Sequence, residues 1–188
     1  MDNIYRILAV ATIVGLIVGC SSITNLNRTA DSEVEGQGVE NDPNTVRIEV
    51  NSHQWAWDAR YSGPDGEWNT ADDIVTLNDI RIPIDTPILV HLASADVIHS
   101  FNLPNLRVKQ DAVPGNITPI WFQAVETGQF DIACAEHCGA AHYKMRGTLT
   151  VLSKEDYAEW AAEASERSAL AYNPDDADAH WGWPWKEI

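Results

Sequence analysis

The sequence predicts an all-β sandwich or barrel that ends in one helix. Three observations lead there. Between residues 46 and 152 short apolar runs recur at close spacing, punctuated by Gly, Pro, Asn and Asp. The first run alternates Val46, Ile48 and Val50 with Arg47 and Glu49, the period of a half-buried strand. At Ser153 the pattern turns helical. Ser153-Lys154-Glu155-Asp156 approximates a capping box, and Tyr157, Trp160, Ala161 and Ala164 then share one helical face.

Taken in chain order, the first element is an unbroken apolar or small run, Ile7 to Gly19, that stops at Cys20. A membrane-spanning helix needs about 20 apolar residues, whereas a secretory signal uses an apolar region of about 7–15. Ile17-Val18-Gly19-Cys20 resembles the lipobox of bacterial lipoproteins, in which the Cys is lipidated. Residues 1–19 are therefore expected to be a lipoprotein-type signal peptide, with Cys20 as the lipidation site. An uncleaved short anchor is the alternative, and either way the rest of the chain is exported and tethered. Residues 20–45 are polar and read as a flexible tether. Strands are expected at 46–50, 74–77, 80–84, 87–93, 120–124, 130–134 and 148–152. The first of these is expected to continue through Trp55 and Trp57, which would then share a face. Residues 153–188 hold the helix and an acidic tail carrying Trp181, Trp183 and Trp185.

Charge excludes some functions. The 188 residues include 12 Lys and Arg against 28 Asp and Glu, a formal net charge of −16. A nucleic-acid binder needs a basic face, so nucleic acid is not a partner, and an anionic lipid surface is an equally poor one. A basic protein partner, or a high-salt habitat, fits the charge.

The chemistry is concentrated in Cys134-Ala135-Glu136-His137-Cys138-Gly139-Ala140-Ala141-His142-Tyr143-Lys144-Met145. Two cysteines in an exported chain would ordinarily pair as a disulfide, but the neighbouring histidines and methionine argue against that. Thiolate, imidazole and thioether together select copper. Zinc is the rival metal, because it accepts two Cys and two His without needing the Met. A one-copper electron-transfer site uses a single Cys. The second cysteine allows two thiolates to bridge a pair of coppers. His142 is the local imidazole, and His99, in Ile98-His99-Ser100-Phe101, is the best candidate for the distant one.

Four blocks resemble the CuA domain of subunit II of the haem–copper cytochrome oxidases. They are His53-Gln54-Trp55-Ala56-Trp57, His99-Ser100-Phe101 with Pro104, Val108 to Gly115, and Cys134 to Met145. The resemblance implies a cupredoxin-like β-sandwich holding two copper ions. Cys134 and Cys138 would bridge them. His99 and Met145 would complete one copper, and His142 with the backbone carbonyl of Glu136 the other. The Glu136 side chain would reach a magnesium shared with subunit I. Trp55 would be the port through which electrons arrive from cytochrome c or a similar donor, and Trp57 would be structural. Two features depart from the family. Ala56 stands where a Tyr is frequent, and a signal-like segment replaces the usual two membrane helices. The function implied is that of an oxidase subunit passing electrons to subunit I, where oxygen is reduced. The alternatives are a free-standing exported CuA electron carrier and a copper-delivery protein.

Overall fold

The computed structural model describes residues 27–29 and 38–172. Its strands are β1 (Asn27–Thr29), β2 (Val46–His53), β3 (Ala56–Tyr61), β4 (Ile74–Leu77), β5 (Asp79–Pro83), β6 (Pro87–Ser94), β7 (His99–Leu103), β8 (Val108–Ala112), β9 (Thr118–Ala124), β10 (Gly128–Cys134) and β11 (Arg146–Leu152). They form a six-stranded sheet, β1-β9-β6-β2-β3-β4, and a five-stranded sheet, β5-β11-β10-β7-β8. The helix α1 spans Lys154–Ala171. The all-β architecture with one C-terminal helix is the one the sequence predicts. The signal segment and the tryptophan-rich tail lie outside the described residues.

The core lies between the sheets. Ile48, Val50, Trp57, Ile88, Val90 and Leu92 of one sheet meet Ile80, Ile82, Phe101, Leu103, Ile132 and Leu149 of the other, all without solvent exposure. Each such side chain contributes about 1.5–3 kcal/mol through burial. The helix is capped by Ser153, whose hydroxyl accepts from the Asp156 amide at 3.0 Å. Its Trp160 packs edge-on against Tyr61 at 5.4 Å between ring centroids, which fastens the helix to β3.

Two expectations are corrected, and three strands are added to those expected. The first strand does not run through Trp57. It ends at His53 and reverses at Gln54-Trp55, and β3 returns antiparallel with His53 opposite Ala56. The two tryptophans therefore do not share a face. Trp55 sits in the turn, 38% exposed, whereas Trp57 is fully buried on β3. Strands β7 and β8 also went unread. Almost every residue of β7 is buried, so it has no polar alternation to show, and the interior of β8 is the polar run Lys109-Gln110-Asp111. Finally, within the segment read as tether, Asn27–Thr29 pairs with the edge of β9, Asn27 opposite Ala124. The edge strand offers unpaired backbone groups that a passing segment satisfies.

Sheet ends set the position of the candidate site. Parallel pairing of β2 with β6 brings Ser52 opposite Ser94, so the β2–β3 turn and the β6–β7 loop occupy one end. Antiparallel β10 and β11 pair Ala133 with Arg146, which projects residues 134–145 from that same end. Toward the other end, Arg60 is buried and bonded to Glu49, with Nε–Oε2 at 2.9 Å. It also donates to Asn69 at 2.7 Å and lies over the Trp68 ring, and so ties the 62–73 loop to the sheet. Replacing Arg60 by Met removes the buried cationic partner of the Glu49 carboxylate. The expected loss is about 3–5 kcal/mol, the typical effect of removing one partner of a buried ion pair. Denaturant unfolding checks it.

Candidate metal centre

Three strand ends and one loop build the site. His99 opens β7 and Cys134 closes β10, and the two strands pair so that Cys134 faces Phe101, two residues from His99. Met145 immediately precedes β11, and its carbonyl accepts the Cys134 amide at 3.1 Å. The segment between them curls back through the bonds His142 N–H to Gly139 O and Met145 N–H to His142 O, each 3.1 Å. These bonds close the loop and bring Cys138 Sγ within 3.6 Å of His142 Nδ1.

The donors converge. The Cys134 and Cys138 sulfurs stand 3.7 Å apart, far beyond the roughly 2.05 Å of a disulfide, and both thiols are free. His99 Nδ1 lies 3.1 Å from Met145 Sδ and 3.9 Å from Cys134 Sγ. His142 Nδ1 lies 3.6 Å from Cys138 Sγ, which in turn is 3.7 Å from Met145 Sδ. The Glu136 carbonyl oxygen is 3.2 Å from Cys134 Sγ, while the Glu136 side chain points to solvent. His99, Cys134 and Cys138 present ligand atoms within 4.8 Å of one another.

Asp96 orders this set. Its carboxylate meets His99 Nε2 at 2.8 Å and accepts the amides of Gln54 at 2.7 Å and Val97 at 2.6 Å. With Nε2–H donated to Asp96, the Nδ1 lone pair of His99 faces the sulfurs, the usual way an outer carboxylate fixes a ligand tautomer. Desolvation works against the Asp96 charge, but the bonds from His99, Val97 and Gln54 hold its carboxyl below the ordinary range. Burial first, and then the neighbouring Cys134 thiol, push the Cys138 thiol up to about 11. At neutral pH a metal must therefore displace its proton to bind.

The donors fit copper better than zinc. Three sulfurs, two imidazole nitrogens and one carbonyl oxygen exceed the four ligands of a tetrahedral zinc, and the soft sulfurs favour copper. The thiols lie centrally, with an imidazole on each flank. His99 is wholly buried, and Met145 and Cys138 are only 2% and 3% exposed. His137, between the two thiols in sequence, is exposed, and its ring lies tilted beside His142 with centroids 5.5 Å apart.

Sequence reasoning missed the supports. Asp96 carries no motif of its own, and Gln54 lies inside the first of the four blocks, where its side-chain role is not legible. Asn78 is equally silent, yet its Oδ1 accepts the Trp57 amide at 2.9 Å and its carbonyl accepts Thr148 N–H at 2.8 Å, which joins the two sheets. Trp57 packs edge-on against both His99 and Phe101, with centroids at 6.1 Å and 5.4 Å.

The sequence pattern of the family described as cytochrome c oxidase subunit II, periplasmic domain, matches residues 46–151. The chain is 36% identical over 148 residues to the alternative cytochrome c oxidase subunit 2 of Bradyrhizobium diazoefficiens, covering 67% of this chain and 53% of that protein. It is 34% identical over 128 residues to cytochrome c oxidase subunit 2 of Synechocystis, covering 68% of this chain and 35% of that one. It therefore spans about half the length, or less, of these relatives. The crystal structure of the periplasmic domain of subunit II of Bradyrhizobium japonicum cytochrome oxidase is similar, with TM-score 0.58, 30% identity, and coverage of 66% of this chain and 96% of that one. A second neighbour, with TM-score 0.56 and 29% identity, is subunit II of cytochrome c oxidase caught as a mixed disulfide with a thioredoxin-like protein, covering 66% of this chain and 93% of that one. The match over 46–151 is to an extracytoplasmic domain. Its sandwich, its clustered soft donors and its relatives agree, and the chain belongs to the cytochrome c oxidase subunit II family.

Proposed function

We propose that this chain is the electron-accepting subunit of a haem–copper cytochrome c oxidase, holding a dinuclear copper centre at the end of its sandwich. The observation that carries the proposal is the pair of free thiols 3.7 Å apart with His99 and His142 on their two flanks. Cys134 and Cys138 would hold both metal ions, His99 and Met145 would complete one, and His142 with the Glu136 carbonyl would complete the other. Two copper ions so held supply one-electron redox chemistry at a single shared centre. The chain's own part is to keep these donors dry and fixed, so that little moves when charge changes. Asp96 serves that end by fixing His99, and Trp57 does so by packing edge-on against the His99 ring, with Phe101 edge-on against Trp57 in turn.

Trp55 is the proposed electron port. It is exposed on the β2–β3 turn while its ring edge lies against the ligand loop, where a Cβ placed on Gly139 would stand 3.3 Å from it. The donor is cytochrome c or a similar basic protein drawn to the acidic surface, and the acceptor is subunit I of the oxidase. The solvent-facing Glu136 carboxylate is the chain's contribution to a magnesium shared with subunit I. A thioredoxin-like reductant that keeps the thiol pair open before metal loading fits the mixed-disulfide neighbour. A copper-delivery role is disfavoured, because delivery needs an exposed, exchangeable site and His99, Cys138 and Met145 are buried.

Copper and zinc analysis of the purified full chain tests the reading. Two coppers per chain are expected, and one zinc with no copper would reject it. The chain is also proposed to be anchored outside the cytoplasm by lipid on Cys20. Cys20→Ser is expected to leave the precursor unlipidated. Intact-mass measurement of a mature chain that retains Met1 and an unmodified Cys20 would dismiss the anchor.

A further inference from the structure

The Gln54-Trp55 turn meets the ligand loop at several points. Gln54 donates from its side-chain Nε2 to the carbonyl of Cys138 at 2.8 Å. Its backbone N–H donates to Asp96 Oδ2 at 2.7 Å, and the other oxygen of the same carboxylate holds His99 Nε2 at 2.8 Å. Contact is close enough to require glycine at 139. A Cβ there would fall 2.8 Å from Gln54 Nε2 and 3.3 Å from Trp55 Cζ2, and the residue adopts φ +121°, a region that side chains disfavour.

The loop's other bonds do different work. Cys134 N–H to Met145 O at 3.1 Å and Ala135 N–H to Ser100 O at 3.0 Å fasten its ends to the strands. The bonds within 139–145 set its internal curl. Neither set fixes the middle of the loop relative to the six-stranded sheet. Gln54 does so, and it grips the residue whose sulfur touches Cys134, His142 and Met145. Because the peptide unit is rigid, holding the Cys138 carbonyl restrains its Cα and hence its thiol. Sites of this kind work only when ligands are held to roughly 0.5 Å by a supporting shell.

We infer that Gln54 is a positioning residue: its amide, by bonding the Cys138 carbonyl, sets the Cys138 thiol in place before any metal arrives, and the turn it belongs to fixes Trp55 against that same loop. The inference rests on the reading of the cluster as a metal centre, but its first test needs no metal.

The test compares the metal-free full chain with Gln54→Met, which keeps the length and loses the donor. Hydrogen exchange is followed by peptide. Loss of one hydrogen bond is worth a factor of roughly three to ten. Exchange across 134–145 is expected to quicken by that factor, with β2, β6 and β9 unchanged. Copper loading supplies the second readout. The variant is expected to bind the wild-type amount of copper with shifted thiolate-to-copper absorption bands and a shifted reduction potential. Unchanged exchange across 134–145 in a folded variant overturns the inference, as does a uniform rise over the whole sandwich, the mark of a merely structural role. Should Gln54→Met not fold, Gln54→Asn, one methylene too short to reach, must show the same local effect or the inference fails. A wild-type chain that takes up no copper rejects the metal reading and leaves the exchange result to stand by itself.

Discussion

Replacing Cys138 by Ser is expected to reduce the copper content of the full chain from two per chain to at most one, and to abolish any signal shared between two coppers. The geometry explains why a one-atom change has so large an effect. The Cys138 sulfur lies 3.7 Å from Cys134 Sγ, 3.7 Å from Met145 Sδ and 3.6 Å from His142 Nδ1, so it is the atom common to both flanks. A hydroxyl in its place is a hard donor that stays protonated, and soft-metal affinity falls with it. Cys134, His99 and Met145 remain, which is the Cys-His-Met remnant of a one-copper site. The fold should persist. Ser is nearly isosteric with Cys, and a buried hydroxyl that lacks a partner costs only about 1–3 kcal/mol by protein mutational measures. Metal analysis with electron paramagnetic resonance decides the matter. A hyperfine pattern from two equivalent coppers in the folded Ser variant would overturn the bridging role of Cys138.

How far this centre could be read from sequence follows from how far apart its parts lie along the chain. Cys134, Cys138, His142 and Met145 occupy one loop, so their identities and spacing already display a soft donor set. His99 is remote; it is legible as the best distant imidazole for that donor set, and the resemblance of its block to the family supports the same choice. The supports were not legible. The Gln54 amide reaches an aspartate 42 residues away, and its side chain reaches a carbonyl 84 residues away. Such contacts arise only when two sheets close on each other, and a backbone carbonyl has no sequence signature. The strands divide in the same way. Half-buried β2 announces itself by alternation, whereas β7, buried almost throughout because it carries His99 and Phe101 into the core, reads as an irregular mixture of His, Ser, Phe and Asn. The paired tryptophans show the limit of period-based reading. A two-residue turn that includes the first of them converts apparent neighbours on one face into one exposed ring and one core ring.

That separation makes the second large effect testable without confusion. Trp55→Gln is expected to slow electron transfer within the docked complex by about tenfold or more, which corresponds to an added effective barrier of about 1.4 kcal/mol. Copper content and folding stability should stay near wild type, because Trp55 is 38% exposed and Trp57 is the ring without exposure. Trp57→Ala should do the opposite. It removes a core aromatic that walls His99, with an expected loss of about 3–5 kcal/mol in stability. Docking is a third, distinct quantity. The −16 formal charge would draw the proposed basic donor through long-range attraction that salt screens beyond about 10 Å at 0.1 M. Neutralising exposed acids should therefore lower the encounter rate and flatten its salt slope while leaving the rate inside the complex alone. Stopped-flow reduction of the purified oxidase complex by its native donor, run over a series of salt concentrations, measures both rates. If folded, fully metallated Trp55→Gln keeps the wild-type intracomplex rate, electrons do not pass through Trp55. The buried Trp57 ring, edge-on to His99, then becomes the next place to look.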